Sequence, residues 1–593
     1  MGRDQPSAKR ALGMLSAMLL LISSGASSAQ NIIDYAARHH ASVDTQGMVA
    51  VQNAIAAEVG AAVLAEGGNA VDAAVAVGMA LSVTLPRAGN IGGGGFMLVY
   101  LAERDETIAI DYREKAPAAA TRDMYLDADG NVDNAKARFS VLSAGVPGTV
   151  AGLHHALSRY GTKSWKDVVM PAVELARDGI IVSADLASAL AGRRQRLGRD
   201  AASLAKFYKP DGSAYRAGER WRQPELAWAL EQIANDGPEA FYQGAVADRI
   251  VSFMQASGGL ITKADLAGYT VAEREPVRGE YREFDIVTMP PPSSGGVLLV
   301  QMLNVLEQFN LRDSGFGSAR TIHVMTEAMR TAYADRSQHL GDPDYYEPDY
   351  GWLMSPAYAR EIAEQIDVDQ ARRSEDVAPG VNQGYESPDT THYSVMDATG
   401  NVVANTYTLN FSYGSGITVP GAGFLLNNEM DDFSAKPGTP NGYGLLGDEA
   451  NAIEPGKRPL SSMTPTIVFR NGEPFLVTGS PGGSRIITTV LQIVLNVIEH
   501  QMSVLDAVDA PRFHHQWEPD AVFFEAGFSP DTLALLESMG HEVDTRRRTM
   551  GSAQSILFDG KYFRGAADPR RPDALAVGPQ GLDCRTSSVA CSY

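Results

Sequence analysis

The sequence predicts a layered α/β protein, and three stretches carry that prediction. Residues 47–85 form an Ala- and Val-dominated run interrupted by Gly67-Gly68, and read as helix on both sides of the break. Residues 89–100, GNIGGGGFMLVY, pass from a glycine turn into a β-rich run, with a second strand expected over 107–112. Residues 390–397 and 402–411 are β-rich and joined around Asp397-Ala398-Thr399-Gly400-Asn401, which predicts a hairpin. Helices alternating with strands in this way are expected to cover a sheet.

The other elements follow along the chain. Asn69-Ala70-Val71-Asp72 opens a small-residue helix that would approach its neighbours closely. Amphipathic helices are expected over 151–160, 168–178, 225–234 and 245–256, with no internal repeat. Residues 290–296, PPPSSGG, stop a strand and start a helix over 298–307, since proline and serine suit a first helical turn. A helix over 324–338 precedes an irregular polar stretch, GDPDYYEPDY. Beyond the hairpin, strands are expected at 423–426, 466–470, 474–478 and 555–558, and helices at 488–499, 504–509 and 531–539.

With 593 residues the chain can form one very large core or several ordinary ones. A net charge of -21 argues against nucleic acid or an anionic membrane surface as partner, because both need a basic footprint. Residues 1–29 read as a signal peptide: Arg3, Lys9 and Arg10 lead an apolar run over 12–22, and Ser27 and Ala29 fit a peptidase site before Gln30. That run is short of the roughly 20 residues a membrane span needs, so no stable membrane anchor is expected. Export to the periplasm, or secretion, follows. Cys584 and Cys591 could close a small tail loop in an oxidising compartment.

Residues 362–389 are polar, acidic and rich in Pro and Gly, the composition of an exposed flexible tether. It ends abruptly at Thr390. A threonine hydroxyl is a poor nucleophile until a base takes its proton, and at a chain terminus its own α-amine can be that base. Thr390, His392 and Ser394 share one strand face, opposite Thr406, Thr408 and Asn410. Gly479-Ser480-Pro481-Gly482-Gly483-Ser484 precedes a helix and could present backbone N–H groups to an oxyanion; Gly92–Gly95 could do the same. Lys457, Arg458, Ser461 and Ser462 suit a carboxylate, and Glu429, Asp431 and Asp432 suit an ammonium. Tight turns, solvated loops and an exposed hairpin face are the plain structural readings of these same residues. No metal pattern emerges: His39-His40 and His514-His515 are adjacent pairs, and there is no HExxH, GxSxG elbow or Walker A sequence.

Taken in order, GMVA 47–50, EGGNAVDAAVAVGMALSVTLPRAGNIGGGGFM 66–97, DYREKAP 111–117, VPGTVAG 146–152, PPPSSGG 290–296, DTTHYSVMDATGN 389–401, TYTLNFSYGSG 406–416, LLNNEMDDF 425–433, PLSSMTP 459–465, GSPGGSRI 479–486 and DAPRFHHQW 509–517 resemble the bacterial γ-glutamyltransferases (γ-glutamyltranspeptidases). The resemblance implies an N-terminal-nucleophile hydrolase fold, a four-layer αββα sandwich. It also implies a precursor that cuts itself between Asp389 and Thr390, giving a large subunit 30–389 and a small subunit 390–593 that form one heterodimer. The implied activity is cleavage of glutathione and related γ-glutamyl amides without a cofactor, with transfer to an amino acid, a short peptide or water.

Residue by residue, Thr390 matches the nucleophile and Thr408 its hydroxyl partner. Arg113, Ser461 and Ser462 match groups that hold the substrate α-carboxylate. Asn410, Glu429 and Asp432 match those at the α-amino side, and Gly482 and Gly483 the oxyanion hole. Some bacterial members carry glutamine in place of Glu429. Residues 437–451 resemble the lid loop, with Tyr443 as the aromatic that covers the site and meets Asn410. A β-lactam side-chain acylase on the same scaffold is the enzymatic alternative; an uncut exported binding protein is the non-enzymatic one.

Overall fold

The computed structural model describes residues 40–346, 350–377, 390–546 and 548–586, with side chains as far as 582. The expected signal peptide, Asp389 and Cys591 lie outside the described residues. Strand alternation builds the architecture from the centre outwards. In β2 (Gly47–Val51), Val49 and Val51 join one apolar cluster while Met48 and Ala50 join another. In β3 (Gly94–Leu101), Met97 and Val99 face the same way as Val49, and Phe96, Leu98 and Tyr100 face the other. Each strand is thus buried on both faces, which requires a layer above and a layer below.

Two seven-stranded antiparallel sheets supply the inner layers. The first contains β2, β3, β4 (Glu106–Tyr112), β5 (Ala272–Arg274), β8 (Thr390–Asp397), β9 (Val402–Thr408) and β14 (Leu575–Val577), in the spatial order β14-β2-β8-β9-β3-β4-β5. The second contains β1 (Ser42–Asp44), β6 (Val277–Tyr281), β7 (Phe284–Thr288), β10 (Thr466–Arg470), β11 (Glu473–Thr478), β12 (Gln554–Phe558) and β13 (Phe563–Ala567), in the order β1-β13-β12-β11-β10-β7-β6. Between them lie Met48, Phe96, Leu98 and Ala404 from the first sheet and Val287, Ile467, Val477 and Ile556 from the second.

Helices α1 (Ala54–Ala65), α2 (Ala70–Thr84), α3 (Thr149–Tyr160), α4 (Trp165–Asp178) and α5 (Pro224–Asp236) cover the outer face of the first sheet. The outer face of the second sheet is covered by α6 (Gly295–Leu306), α7 (Ala319–His339), α8 (Pro356–Gln365) and α10 (Arg485–Ile498). The result is the αββα sandwich. Helix α2 is buried along its whole length, and its Ala and Gly residues permit that close approach. Asn69 caps it with a reciprocal box to Asp72, a device worth about 1 kcal/mol.

Several expectations shift at their edges. Residues 47–51 are a strand, not helix, because they pair with β8 on one side and β14 on the other. Ala and Val fill either kind of element, and the two ladders decide. Residues 423–426 form no strand: Gly421 and Gly423 adopt positive φ, and the segment folds back on 415–419 in a tight turn with one isolated bridge, Thr418 to Leu425. Strand β9 stops at Thr408 rather than 411, since Asn410 takes φ +72. The expected tether is anchored over its first part. Helix α8 extends to Gln365, Arg372 donates to Glu327 at 2.6 Å, and Ser374 is tied to Trp517 and Asp520. A short turn, α9 (Ser374–Val377), follows, and 378–389 lie outside the described residues.

Candidate active site

Thr390 opens β8, buried in the first sheet and directly opposite Thr408 on β9. Their hydroxyl oxygens are 3.4 Å apart. The Asn410 amide donates to the Thr408 hydroxyl at 2.8 Å, and that hydroxyl's own proton has two acceptors in reach, the Thr390 hydroxyl and, at 3.5 Å, the Asn410 carbonyl. The left-handed backbone at Asn410 makes this short return bond possible, and asparagine tolerates that conformation better than most residues.

The face shared by Thr390, His392 and Ser394 is interior, not a solvated hairpin face. His392 bonds Thr406 at 2.8 Å and Ser394 at 3.0 Å, and Ser394 donates to the Gln554 carbonyl of the second sheet. Burial pushes the His392 imidazole down to about 3, so it is neutral at ordinary pH. Its ring also fixes the neighbouring loop, because a Cβ on Gly479 would lie 2.4 Å from it.

That loop, 479–484, runs from β11 into α10. Gly482 and Gly483 have φ of +142 and +58, and their carbonyls accept from Arg485 and Ile486. Their own N–H groups have no backbone acceptor among the described residues. Ser480 accepts from the Ser552 amide, and the Ser484 carbonyl accepts from Tyr333 on α7, so the loop is held at both ends. Gly92–Gly95 does different work. A Cβ on Gly93 would meet the Thr408 carbonyl at 2.0 Å, and the Gly93 carbonyl accepts from Gly148 and Thr149, so this run permits close backbone approach instead of forming an anion nest.

Arg113, at the end of β4, sits in a carboxylate cluster. Its guanidinium bonds Glu429 and, at 2.6 Å, Asp432, and Glu114 is 3.6 Å away. Burial works against the arginine's charge, but Glu429, Asp432 and Glu114 together hold its pKa above the usual value. Burial raises the carboxyls: Glu429 well above its usual range, Asp432 upward, and Glu114 up to about 7. One guanidinium cannot neutralise three buried carboxylates, so the cluster retains a proton near neutral pH. Among the described residues neither carboxylate oxygen of Glu114 has a hydrogen-bond partner.

The remaining charged residues separate. Asp431 turns away to Arg138, at 2.9 Å, and to the Gly442 amide. Lys457 pairs with Glu454 and Arg458 with Asp344, so neither supplies the expected carboxylate cation. Ser461 and Ser462 do reach the site. The PPPSSGG stretch braces them: Ser461 donates its amide to the Pro292 carbonyl, and Ser294 donates its amide and hydroxyl to the Ser461 carbonyl.

Thr390, Thr408, Asn410, Arg113, Glu429, Asp432, Tyr443, Ser461, Ser462 and Gly483 line a single cavity of about 20 Å³. Gly482 stands beside Gly483 just outside that lining. Such a volume holds little more than one water, so a substrate enters only if the covering loop moves. Tyr443 is that cover. Its hydroxyl donates to the Asn410 carbonyl at 2.6 Å, and its ring lies against Gly483, where a Cβ would come within 2.4 Å. A larger concavity of about 880 Å³ lies at the hairpin tip around Asn69, Thr162 and Asp397, but none of the reactive groups faces it.

Sequence reasoning missed Arg336 of α7, together with Leu445, Leu460, Met463 and Ile486, all of which line the cavity. Leu445, Leu460, Met463 and Ile486 lie inside stretches already singled out, the lid, PLSSMTP and GSPGGSRI, but were given no role there; Arg336 lies in none of them, and only the approach of α7 identifies it. Among the described residues, His323, Glu327 and His541 also converge. All but His541 Nδ1 of their ligand atoms are already engaged, however. Glu327 accepts from Arg330 and Arg372, and the two imidazoles share a 2.7 Å hydrogen bond.

The family model described as Gamma-glutamyltranspeptidase matches residues 56–578. The chain is 54% identical over 536 residues to the glutathione hydrolase proenzyme of Escherichia coli (strain K12), covering 90% of this chain and 92% of that protein. Among solved structures, a cephalosporin acylase from Bacillus halodurans superposes with a TM-score of 0.82 at 27% identity, covering 93% of this chain and 99% of that one. The Helicobacter pylori gamma-glutamyltranspeptidase is 46% identical with a TM-score of 0.54, covering 56% of this chain and 95% of that one.

Proposed function

The chain belongs to the gamma-glutamyltranspeptidase family, and from that premise we propose that Thr390 is both the agent of its maturation and the residue that carries the γ-glutamyl group. The enzyme is a γ-glutamyltransferase and glutathione hydrolase. What supports Thr390 in particular is its position: the first residue of an interior strand, opposite a second hydroxyl, in the same cavity as an anionic cluster and a glycine loop.

In maturation the Thr390 hydroxyl attacks the Asp389 carbonyl carbon. The peptide C–N bond breaks, the amine takes the proton, and water hydrolyses the resulting ester. This leaves fragments 30–389 and 390–593 and a free α-amine on Thr390. In turnover that amine accepts the hydroxyl proton as Thr390 attacks the γ-carbonyl of a donor such as glutathione. The Gly482 and Gly483 N–H groups stabilise the oxyanion, and such a donor contributes roughly 10²–10³-fold in rate. The amine then protonates the leaving group, and water, an amino acid or a short peptide resolves the ester. No step requires a cofactor.

The α-amino-acid head of the donor meets charges of both signs. Glu429, Asp432 and Asn410 serve the ammonium; Arg113, Ser461 and Ser462 serve the carboxylate. A glutaryl side chain has no ammonium, so this anionic cluster favours the γ-glutamyl reading over the acylase one. Among the described residues no helix is long and apolar enough to cross a membrane, and with the amino-terminal pattern of residues 1–29 this supports a periplasmic or secreted heterodimer.

Mass analysis of purified wild-type and Thr390→Ala protein, with γ-glutamyl-p-nitroanilide turnover measured with and without glycylglycine, tests the proposal. The wild type should be two chains and active, and Thr390→Ala one chain and inactive. Normal cleavage or turnover in Thr390→Ala would remove the nucleophile assignment.

A further inference from the structure

Arg336 is a buried guanidinium on α7 that lines the same cavity as Arg113, and none of the roles proposed for the reaction uses it. It is 4% exposed. Its Nε donates to the Ser294 hydroxyl at 2.9 Å and its Nη2 reaches the Ser462 hydroxyl at 3.5 Å. These are neutral partners. Among the described residues no carboxylate lies within 4.0 Å of it. Burial, with too little opposing charge nearby, lowers its pKa to about 10, so it remains cationic at neutral pH.

The contrast with Arg113 decides the matter. Arg113 is committed to Glu429 and Asp432, with Glu114 close by. A substrate carboxylate arriving there must compete with acids already in place. Arg336 has N–H donors left over once Ser294 and Ser462 are served, and Ser462 belongs to the carboxylate side of the site. Asp432 acts on Arg336 only from beyond ion-pair distance. A buried cation with no acid in direct contact is costly, and an incoming carboxylate relieves that cost while receiving charge-assisted hydrogen bonds.

We propose that Arg336, together with Ser462, binds the α-carboxylate of the γ-glutamyl donor and so sets the enzyme's selectivity for donors that carry one. This rests on the γ-glutamyl reading of the site and adds to it the second cation. Arg113 then works between the carboxylate and the acids that receive the ammonium. Arg336 supplies a charge that, among the described residues, no acid holds in an ion pair.

The experiment uses processed Arg336→Met and Arg336→Lys. The KM for γ-glutamyl-p-nitroanilide is measured, with the inhibition constants of glutaryl anilide, which keeps the carboxylate, and 4-aminobutyryl anilide, which keeps the ammonium. Measuring the two anilides as competitors means neither has to turn over. Loss of a charge-assisted bond should raise the γ-glutamyl KM and the glutaryl constant together by about 10- to 100-fold, leave the 4-aminobutyryl constant unchanged, and be partly rescued in Arg336→Lys. Equal weakening of all three ligands would mark a structural role and overturn the proposal, as would no weakening of any. If Arg336→Met does not accumulate in processed form, the ratio of the two competitor constants in Arg336→Lys decides: a ratio equal to that of the wild type overturns it. With the wild type active on the γ-glutamyl donor, failure counts against Arg336 alone; an inactive wild type overturns the γ-glutamyl reading and this inference with it.

Discussion

The Tyr443 hydroxyl donates to the Asn410 carbonyl at 2.6 Å, fastening the lid to the chain two residues beyond Thr408. The same Asn410 gives its amide to the Thr408 hydroxyl. Lid closure and the orientation of the hydroxyl beside Thr390 therefore meet at one residue.

Tyr443→Phe removes a bond worth about 1 kcal/mol and leaves the ring on Gly483. The lid should open about fivefold more readily. Transfer to glycylglycine should fall relative to hydrolysis, while chain cleavage continues. Product analysis with and without glycylglycine checks this, and an unchanged ratio would dissociate the lid bond from acceptor choice.

Gly483→Ala should be far more damaging than its one carbon suggests. The residue has φ +58, and the new Cβ would lie 2.4 Å from the Tyr443 ring. Either the lid or the loop must move, and moving the loop displaces the N–H proposed to stabilise the oxyanion. A fall in kcat of roughly 10²-fold is expected, with KM much less affected. Steady-state kinetics on γ-glutamyl-p-nitroanilide give the split directly.

Arg113 is better tested by lysine than by alanine. Alanine would leave Glu114, Glu429 and Asp432 without the cation they surround, a change that costs roughly 3–5 kcal/mol in stability. Arg113→Lys keeps the charge but loses the fork that spans Glu429 and Asp432. The donor KM should rise about tenfold or more with the chain still cleaved. Unchanged kinetics would take Arg113 out of substrate recognition.

Glu114 gives the site a pH signature. Burial raises it to about 7, so between the ordinary carboxyl range and pH 7 the folded state holds a proton that the unfolded chain has released. Stability from this group is therefore present at the acid end and is lost as pH rises through that window. Thermal melting across pH 5–8 should show a smaller decline in Glu114→Gln than in the wild type. Parallel curves would show that the proton resides elsewhere in the cluster.

Much of this was legible in the sequence because strand spacing is rigid. Thr390 and Thr408 meet as a hairpin centred on residues 397–401 requires, and the helix over 504–509 falls where it was expected. What escaped was decided by partners distant in sequence. Residues 47–51 became a strand because β8 and β14 flank them, and no local pattern reveals a neighbour more than 300 residues away. Lys457 and Arg458 read as ligands but are claimed by Glu454 and Asp344. Arg336 lies in an ordinary helical stretch and became visible only when α7 was laid against the serines. Nor does composition reveal that Arg113 and the acids would be bonded to one another.

The first sheet alternates between strands from the two sides of residue 389. β2, β3, β4 and β5 precede it; β8, β9 and β14 follow it; and β2 lies between β14 and β8. The single cut proposed there would leave every ladder intact, yet it would change the molecularity of refolding. Before cleavage, a melted chain can regain the sheet by itself. Afterwards, two fragments must find each other and interleave, at a rate that depends on their concentration. The mature enzyme's persistence thus becomes a matter of how slowly it opens, and heat inactivation should be reversible for Thr390→Ala but not for the cleaved form.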